Sequence, residues 1–312
     1  MSTDEAPDLA DLFPGFASDY IQTRGAKIFV RHGGSGPPLV LLHGYPQSHV
    51  MWHKIAPALA EQFTLILPDL RGYGWSSVER TDDAHEPYSK RAMARDIIDV
   101  MEKLGHIRFA IAGHDRGGRA AYRLALDEPG RVERLAVLDI VPTHAMWHNF
   151  TVELAMKTYH WLMLAQPEPL PELLIGGDPI GYLEYTLGSW TKSEDLSGFD
   201  ARALEHYRAG FNVPDRRHAT CEDYRAGATY DLAADEADKA AGHKITCPLL
   251  VLWGSHGIPG KTDGPLGIWR EWANDVIGGP IDAGHFLAEE APEETANALL
   301  AFFTDRAQPT SL

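Results

Sequence analysis

The chain has 312 residues, 44% of them hydrophobic and 23% charged, and its formal net charge is −16 at pH 7. This length suits a large α/β domain with an inserted piece rather than one small core. The negative charge argues against nucleic acids and anionic membranes as partners. The two cysteines, Cys221 and Cys247, imply no disulfide framework and favour a reducing cytoplasm, and the N-terminus lacks the pattern of a secretory signal.

Short apolar runs alternate with helical patterns through the first half of the chain. Buried strands are predicted at residues 28–30, 39–42, 63–67, 109–112 and 135–141, and helices at 52–62, 89–105 and 120–126. The acidic, proline-rich residues 1–18 are expected to form an extended arm. The alternation predicts a parallel sheet that is covered by helices on both faces.

The alternating pattern stops after residue 142 and resumes near residue 248. The chain between is rich in aromatic residues, proline and helical patterns and lacks a buried apolar strand, so we interpret it as a helical cap. Residues 248–254 predict the next strand. We therefore expect a core domain of residues 1–142 and 232–312, with a cap domain of residues 143–231.

Residues 113–117 read G-x-D-x-G between a predicted strand and a predicted helix. This is the glycine frame of a nucleophile elbow, with Asp115 where a lipase or an esterase carries serine. The sharp turn would lift the Asp115 carboxylate above the sheet edge, at the positive end of a helix dipole. The alternative is that Asp115 merely caps that helix.

The segment 43–46, His-Gly-Tyr-Pro, follows the predicted strand 39–42. A strand followed by this pattern can supply half of an oxyanion hole. The candidate donors are the backbone N–H groups of Tyr45 and Arg116. A plain turn is the alternative interpretation.

A carboxylate nucleophile needs a base that activates water in a second step, and the base needs a third group that orients it. His285 follows the last strand and is the candidate base, with a structural histidine as the alternative. No carboxylate follows the strand that ends at Gly254 until Asp263. Asp139, after the preceding strand, is therefore preferred as the acid over Asp263 and Asp282.

Two arginines accompany the candidate nucleophile. Arg116 follows Asp115 directly, and Arg119 lies about one helical turn further on. Two guanidiniums beside an anionic nucleophile make sense if the substrate is also an anion, because each can form forked, charge-assisted bonds to a carboxylate. Alternatively, both arginines pair with Asp115 or with acids on the helix surface.

These residues resemble the Asp-nucleophile branch of the α/β-hydrolase superfamily, and the run H-D-R-G-G-R at 114–119 is similar to that of fluoroacetate dehalogenases. The likeness extends along nearly the whole chain. It includes the segments 7–16, 136–140, 159–161, 164–167 and 221–227. The resemblance implies an α/β-hydrolase fold, with a mostly parallel eight-stranded sheet and an inserted helical cap.

The resemblance also implies roles for three cap residues. In that family a His-Trp pair and a tyrosine of the cap hold the departing halide, and these fall on His160, Trp161 and Tyr224. Cap aromatics can also serve only in packing. The family pattern further implies Asp139 as the triad acid, a homodimer, and no metal or organic cofactor. Tyr45 stands where phenylalanine is expected, and its phenol could alter substrate preference.

The implied activity is that of a hydrolase acting on carbon–halide bonds. Asp115 would attack a 2-haloacetate, such as fluoroacetate, held by Arg116 and Arg119, and water activated by His285 would then release glycolate from the ester. An epoxide hydrolase would use the same nucleophile and base, with Tyr224 to protonate the epoxide oxygen, but it has no evident use for two arginines. A non-catalytic ligand sensor is the third possibility.

Overall fold

The computed structural model describes residues 9–258 and 264–305. Within these residues eight strands form one sheet: Ala17–Gln22 (β1), Lys27–Gly34 (β2), Pro38–Leu42 (β3), Thr64–Pro68 (β4), Phe109–His114 (β5), Val132–Leu138 (β6), Leu249–Gly254 (β7) and Val276–Ile281 (β8). Their order across the sheet is β1-β2-β4-β3-β5-β6-β7-β8. Only the pairs β1–β2 and β2–β4 are antiparallel. The predicted mostly parallel, eight-stranded sheet is confirmed.

The central strands are recognisable in the sequence because both of their faces are buried. All six residues of β7 and the last four of β6 are buried, which explains their continuous apolar runs. β1 lies at the edge of the sheet and buries only Ile21. It therefore carries no apolar run, and its residues 17 and 18 were assigned to the extended arm. Residues 1–8 of that arm lie outside the described chain.

Helices cover the sheet and form the insertion. In chain order the described residues contain Ala56–Ala60 (α1), Lys90–Lys103 (α2), Asp115–Asp127 (α3), Thr143–His148 (α4), Val152–Lys157 (α5), Tyr159–Leu164 (α6), Leu170–Gly176 (α7), Pro179–Ser189 (α8), Ala201–Phe211 (α9), Pro214–Ala226 (α10), Leu232–Ala241 (α11), Pro265–Trp272 (α12), Leu287–Glu290 (α13) and Pro292–Thr304 (α14). None of the helices in this part of the chain is long and apolar enough to cross a bilayer.

The helical insertion connects β6 to its neighbour β7 and contains α4 to α11. The C-terminal end of this insertion does not coincide with the domain boundary that was expected from the sequence. Helix α10 continues through a π-helical turn, Gly227–Asp231, directly into α11. The predicted boundary between residues 231 and 232 therefore falls within continuous helical backbone.

The parallel strands bring the candidate functional residues to one edge of the sheet. Tyr45 lies shortly after β3, Asp115 follows β5, Asp139 follows β6, and His285 lies in the loop after β8. Parallel strands have their carboxyl ends at the same edge, where open α/β sheets bind ligands. The topology alone thus gathers side chains that are far apart in the sequence.

Candidate active site

Asp115 occupies a sharp turn between β5 and α3 and has a left-handed backbone with φ of 45°. A Cβ on Gly113 would lie 2.5 Å from the carbonyl oxygen of Gly117, and a Cβ on Gly117 would lie 2.3 Å from that of His43. Only glycine fits at either position, so the G-x-D-x-G spacing is a steric requirement of the elbow. The strained backbone of Asp115 is a feature that clusters at functional sites.

One oxygen of the Asp115 carboxylate is already bound by a backbone amide. The N–H of Tyr45 donates to Oδ1 across 3.0 Å. A Cβ on Gly44 would come within 2.5 Å of the Asp115 Cβ, which explains the glycine before Tyr45. Arg116 is the second residue of α3, where backbone N–H groups have no acceptor within the helix. The two amides proposed for the oxyanion hole therefore belong to the two segments that meet at Asp115.

The structure brings His285 to Asp139. The Nδ1 of His285 lies 2.6 Å from Oδ2 of Asp139, and the other oxygen of that carboxylate accepts the N–H of Gly254 at 2.9 Å. This arrangement orients the ring, and Nε2 has no hydrogen-bond partner within the described residues. Burial alone would lower the pKa of His285, but the hydrogen bond and charge of Asp139, together with the charge of Asp115, raise it.

Of the other two candidate acids, Asp282 is described by the structure and lies away from His285 in the ion pairs that it forms. Asp282 is exposed and pairs with Lys192 at 2.7 Å and with His256 at 3.1 Å. Asp263 lies outside the described residues. Asp69 is buried and accepts the backbone N–H groups of His49 and Trp75, so it holds a turn together.

Arg116 has a partner that the sequence analysis missed. Its Nη2 and Nε donate to the two carboxylate oxygens of Asp223, at 2.6 and 3.0 Å, and this buried acid belongs to the cap helix α10. The same carboxylate binds Nζ of Lys90 and accepts the hydroxyl of Tyr73 at 2.8 Å. The partner is neither Asp115 nor an acid on the helix surface, but it is a carboxylate of the protein, so Arg116 is paired as the alternative supposed, with a different acid.

Arg119 is bound without a carboxylate. Its Nη1 donates to the carbonyl of Val141 at 3.0 Å and to Oγ1 of Thr143 at 3.1 Å. Its guanidinium also lies 4.5 Å from the ring centre of Trp161. In the described part of the chain it forms no ion pair, so the alternative of pairing with acids is wrong for Arg119. Its positive charge remains available to an anionic ligand.

The three cap residues lie beside these arginines. Tyr224 has its ring centre 5.7 Å from that of His160 and 5.9 Å from that of Trp161, and its ring lies 4.2 Å from the guanidinium of Arg116. Burial lowers the pKa of His160 to about 3, so its ring is neutral at pH 7. Burial also raises the pKa of Tyr224 well above its usual range, so its hydroxyl keeps its proton.

Tyr45 joins the wall of this aromatic cluster. Its ring centre lies 5.4 Å from that of Tyr224 and 6.3 Å from that of His160. Its hydroxyl donates to the hydroxyl of Tyr182 on α8 at 3.3 Å. The phenol that distinguishes this chain from the expected phenylalanine is thus tied to the cap.

Several polar atoms at this site are buried and have no hydrogen-bond partner within the described residues. They are Nη1 of Arg116, Nε of Arg119, Nδ1 of His160, the hydroxyl of Tyr224 and Nε2 of His285. Buried polar groups in proteins are nearly always paired, so such a concentration requires an explanation. A small polar ligand that binds between the elbow and the cap would pair them.

Comparison with known proteins agrees with this arrangement. The sequence profile of the alpha/beta hydrolase fold matches residues 37–292. The chain therefore belongs to the α/β-hydrolase family. It is similar to a fluoroacetate dehalogenase from Burkholderia sp., with 40% identity over 94% of this chain and 96% of that protein. The predicted resemblance is confirmed.

Other relatives widen the range of activities in the family. A soluble epoxide hydrolase from Corynebacterium sp. (strain C12) is 34% identical over 89% of this chain and 94% of its own length. A solved structure, of a candidate alpha/beta hydrolase from Nostoc sp PCC 7120, superposes with a TM-score of 0.90 at 53% identity. The superposition covers 93% of this chain and 98% of the Nostoc chain. Together these relatives show that the chain is a hydrolase of the α/β-hydrolase fold and is related to dehalogenases.

Proposed function

We propose that this protein hydrolyses fluoroacetate and other 2-haloacetates to glycolate and halide, through an ester on Asp115. The observation that carries the proposal is the pair of buried guanidiniums beside the nucleophile. Arg116 and Arg119 each retain an N–H group without a partner in the described chain, and Arg119 has no neutralising acid there. A substrate carboxylate would pair both groups, and the two guanidiniums would offset the repulsion between that carboxylate and Asp115.

In the first step the Asp115 carboxylate attacks the α-carbon, a carbon–oxygen bond forms, and the carbon–halide bond breaks. The Asp115 pKa remains low because His285 and the two arginines offset the effect of burial, so the carboxylate is ionised. Fluoride is a poor leaving group, and in a buried site it must depart from carbon without the water that would hydrate it in solution. Donors on His160, Trp161 and Tyr224 would replace that water, since a hydrogen bond to a charged group contributes roughly 1.5–3 kcal/mol.

In the second step neutral His285 removes a proton from water, and the water oxygen attacks the ester carbonyl of Asp115. The oxyanion forms where the Tyr45 amide already binds Oδ1. The bond between the acyl carbon and the former carboxylate oxygen then breaks, and glycolate leaves with that oxygen and with the proton that His285 had taken from water. Esterification removes the charge on Asp115 that helps to raise the pKa of His285, so the first step itself favours the neutral base.

The decisive experiment measures fluoride release from fluoroacetate with an ion-selective electrode, in parallel with diol formation from styrene oxide. The proposal requires fluoride and glycolate in equal amounts. Epoxide hydrolysis is the second candidate, favoured by the unpaired hydroxyl of Tyr224 in the described chain and by the soluble epoxide hydrolase relative. Formation of diol without halide would replace the proposal with epoxide hydrolysis. If neither diol nor halide is formed, the ligand sensor is favoured.

The role of Arg119 is tested by a charge comparison. We expect Arg119→Met to lower kcat/KM for chloroacetate by about 10- to 150-fold, because hydrogen bonds to charged groups contribute roughly 1.5–3 kcal/mol. Chloroacetamide is the matched neutral substrate, and any structural loss from the bonds to Val141 and Thr143 affects both compounds. The ratio of the two kcat/KM values therefore isolates the charge. Equal losses for both substrates would remove Arg119 from carboxylate recognition.

We further propose a homodimer located in the cytoplasm. The cap helices α5 and α7 carry strongly exposed apolar side chains, among them Val152, Met156 and Leu173. Strongly exposed apolar side chains are common on surfaces that associate with other proteins, and we propose a second copy of this chain as the partner. Both cysteines are free thiols, as a reducing compartment would keep them. Light scattering on the purified protein measures the mass, and a monomer would contradict the dimer.

A further inference from the structure

The loop that carries His285 is held through the backbone N–H groups of three consecutive residues, 284–286. The N–H groups of Gly284 and Phe286 donate to the two carboxylate oxygens of Glu290, each at 2.9 Å. The N–H of His285 itself donates to the carbonyl of Trp190 at 2.8 Å. A single carboxylate at the end of α13 thus fixes the backbone on both sides of the candidate base.

The same carboxylate also reaches the cap. Oε2 of Glu290 accepts the N–H of Lys192 at 2.7 Å. Trp190 and Lys192 follow the cap helix α8 directly. A Cβ on Gly284 would lie 2.5 Å from both the Trp190 carbonyl oxygen and the Lys192 nitrogen, so the two segments are in close contact. Glu290 therefore joins the loop of the base and the segment 190–192 in one hydrogen-bonded unit.

A carboxylate is the suitable group for this position because it only accepts hydrogen bonds. Three backbone N–H groups point at its two oxygens. A glutamine would turn an amide N–H₂ group towards at least one of these donors, and that bond would be lost. The loop would then lose the constraint that keeps Nδ1 of His285 at 2.6 Å from Asp139 and sets the direction of Nε2.

We propose that Glu290 is a positioning residue that holds His285 ready for hydrolysis of the ester and aligns it with the cap segment 190–192. This inference rests on the two-step function proposed above. Because His285 takes a proton only in the second step, Glu290 acts on that step and leaves the attack by Asp115 unchanged. Its removal should therefore separate the two half-reactions.

The test compares Glu290→Gln with Glu293→Gln, an exposed acid on the next helix. With chloroacetate, Glu290→Gln should release one chloride per site at the rate of the parent protein, followed by a kcat lowered by about 100-fold, the effect of a small misplacement of a catalytic group. Intact-mass spectra should then contain the carboxymethyl ester of Asp115. Glu293→Gln should match the parent. The rates are compared in the pH range in which kcat no longer changes with pH, so that a changed protonation of His285 does not contribute.

A second measurement does not depend on turnover. The Nδ1 proton between His285 and Asp139 should give a downfield proton resonance that is shifted or lost in Glu290→Gln and retained in Glu293→Gln. If the parent protein releases no halide, the proposed function fails, while this resonance still decides the role of Glu290. An unchanged resonance, or a first chloride released as slowly as later ones, would overturn the inference. Glu290→Asp, which keeps the charge on a shorter side chain, replaces the glutamine variant if that variant does not fold.

Discussion

His285→Gln should stop the reaction after one turnover. The first step needs the ionised Asp115 and the bound substrate, and the charges of Arg116 and Arg119 still favour the ionised carboxylate when that of His285 is removed. One halide per site should therefore appear at a rate close to that of the parent protein. The ester should then persist, because no base remains to activate water. The value of kcat should fall by about 100- to 10,000-fold. Rapid-quench halide measurements and intact-mass spectra would detect the burst and the trapped ester.

Glutamine suits this experiment because its side-chain amide can still donate to Asp139, which preserves the contact at 2.6 Å as far as a neutral substitute can. His148→Gln, at a half-exposed histidine of the cap, is the matched control and should turn over normally. An unmodified protein mass after treatment with substrate, together with loss of the first halide, would assign His285 to the first step.

The pH dependence provides an independent check on the same residue. Ester hydrolysis requires the neutral ring, so kcat should rise as the pH increases through the pKa of His285 in the ester. That pKa should lie below the raised value in the free enzyme, because the ester lacks the charge of Asp115. The ratio kcat/KM reports the irreversible first step and should not follow this titration. If kcat/KM decreased at acidic pH by the same factor as kcat, the two-step assignment would be contradicted.

The parts of the site that were predictable from the sequence are those with a local cause. The elbow could be recognised because its glycines occur in one short motif, and part of that spacing has a local cause, the close contact of Gly113 with Gly117. The position of Asp139 followed from the absence of an acid after Gly254, and the structure places its carboxylate on His285. The central strands were evident because burial on both faces requires continuous apolar runs.

The parts that were missed depend on contacts distant in sequence or on backbone groups. Asp223 lies 107 residues from Arg116, and nothing in either segment alone indicates that the two side chains meet. The available signal was an acid directly before the implied pocket residue Tyr224. Glu290 binds backbone amides, which every residue carries, so no pattern of side chains reveals it. The polar edge strand β1 escaped because it lacks an apolar face.

The Arg116–Asp223 pair changes the electrostatic argument for substrate binding. A guanidinium that is already paired with a buried carboxylate contributes less net charge to an incoming anion than a free one. Lys90, which contacts the same carboxylate, and Arg119, which has no acid partner in the described chain, supply the balance. The positive charge near Asp115 is therefore shared by three cations, of which Arg116 and Lys90 contact Asp223 and Lys90 also lies 3.6 Å from Asp231.

Asp115→Ala should abolish halide release, with a loss of at least about 10⁴-fold, as for other covalent nucleophiles. The variant should nevertheless bind fluoroacetate, and more tightly than expected for the parent ground state, because the arginines remain while the repelling carboxylate is gone. Calorimetry on this inert variant measures that affinity directly. Asp282→Ala, at an exposed acid paired with Lys192, is the control and should retain activity.

The fate of the water oxygen decides whether Asp115 forms an ester or only guides water to the substrate. In a single turnover in oxygen-18 water, the ester mechanism puts the label into the Asp115 carboxylate, since water attacks the acyl carbon and glycolate leaves with an oxygen of the protein. A peptide mass of the elbow segment would detect the label. Label in glycolate alone, after every site has turned over once, would mean that water attacks the α-carbon directly. The Tyr45 amide on Oδ1 would then serve only to orient a general base.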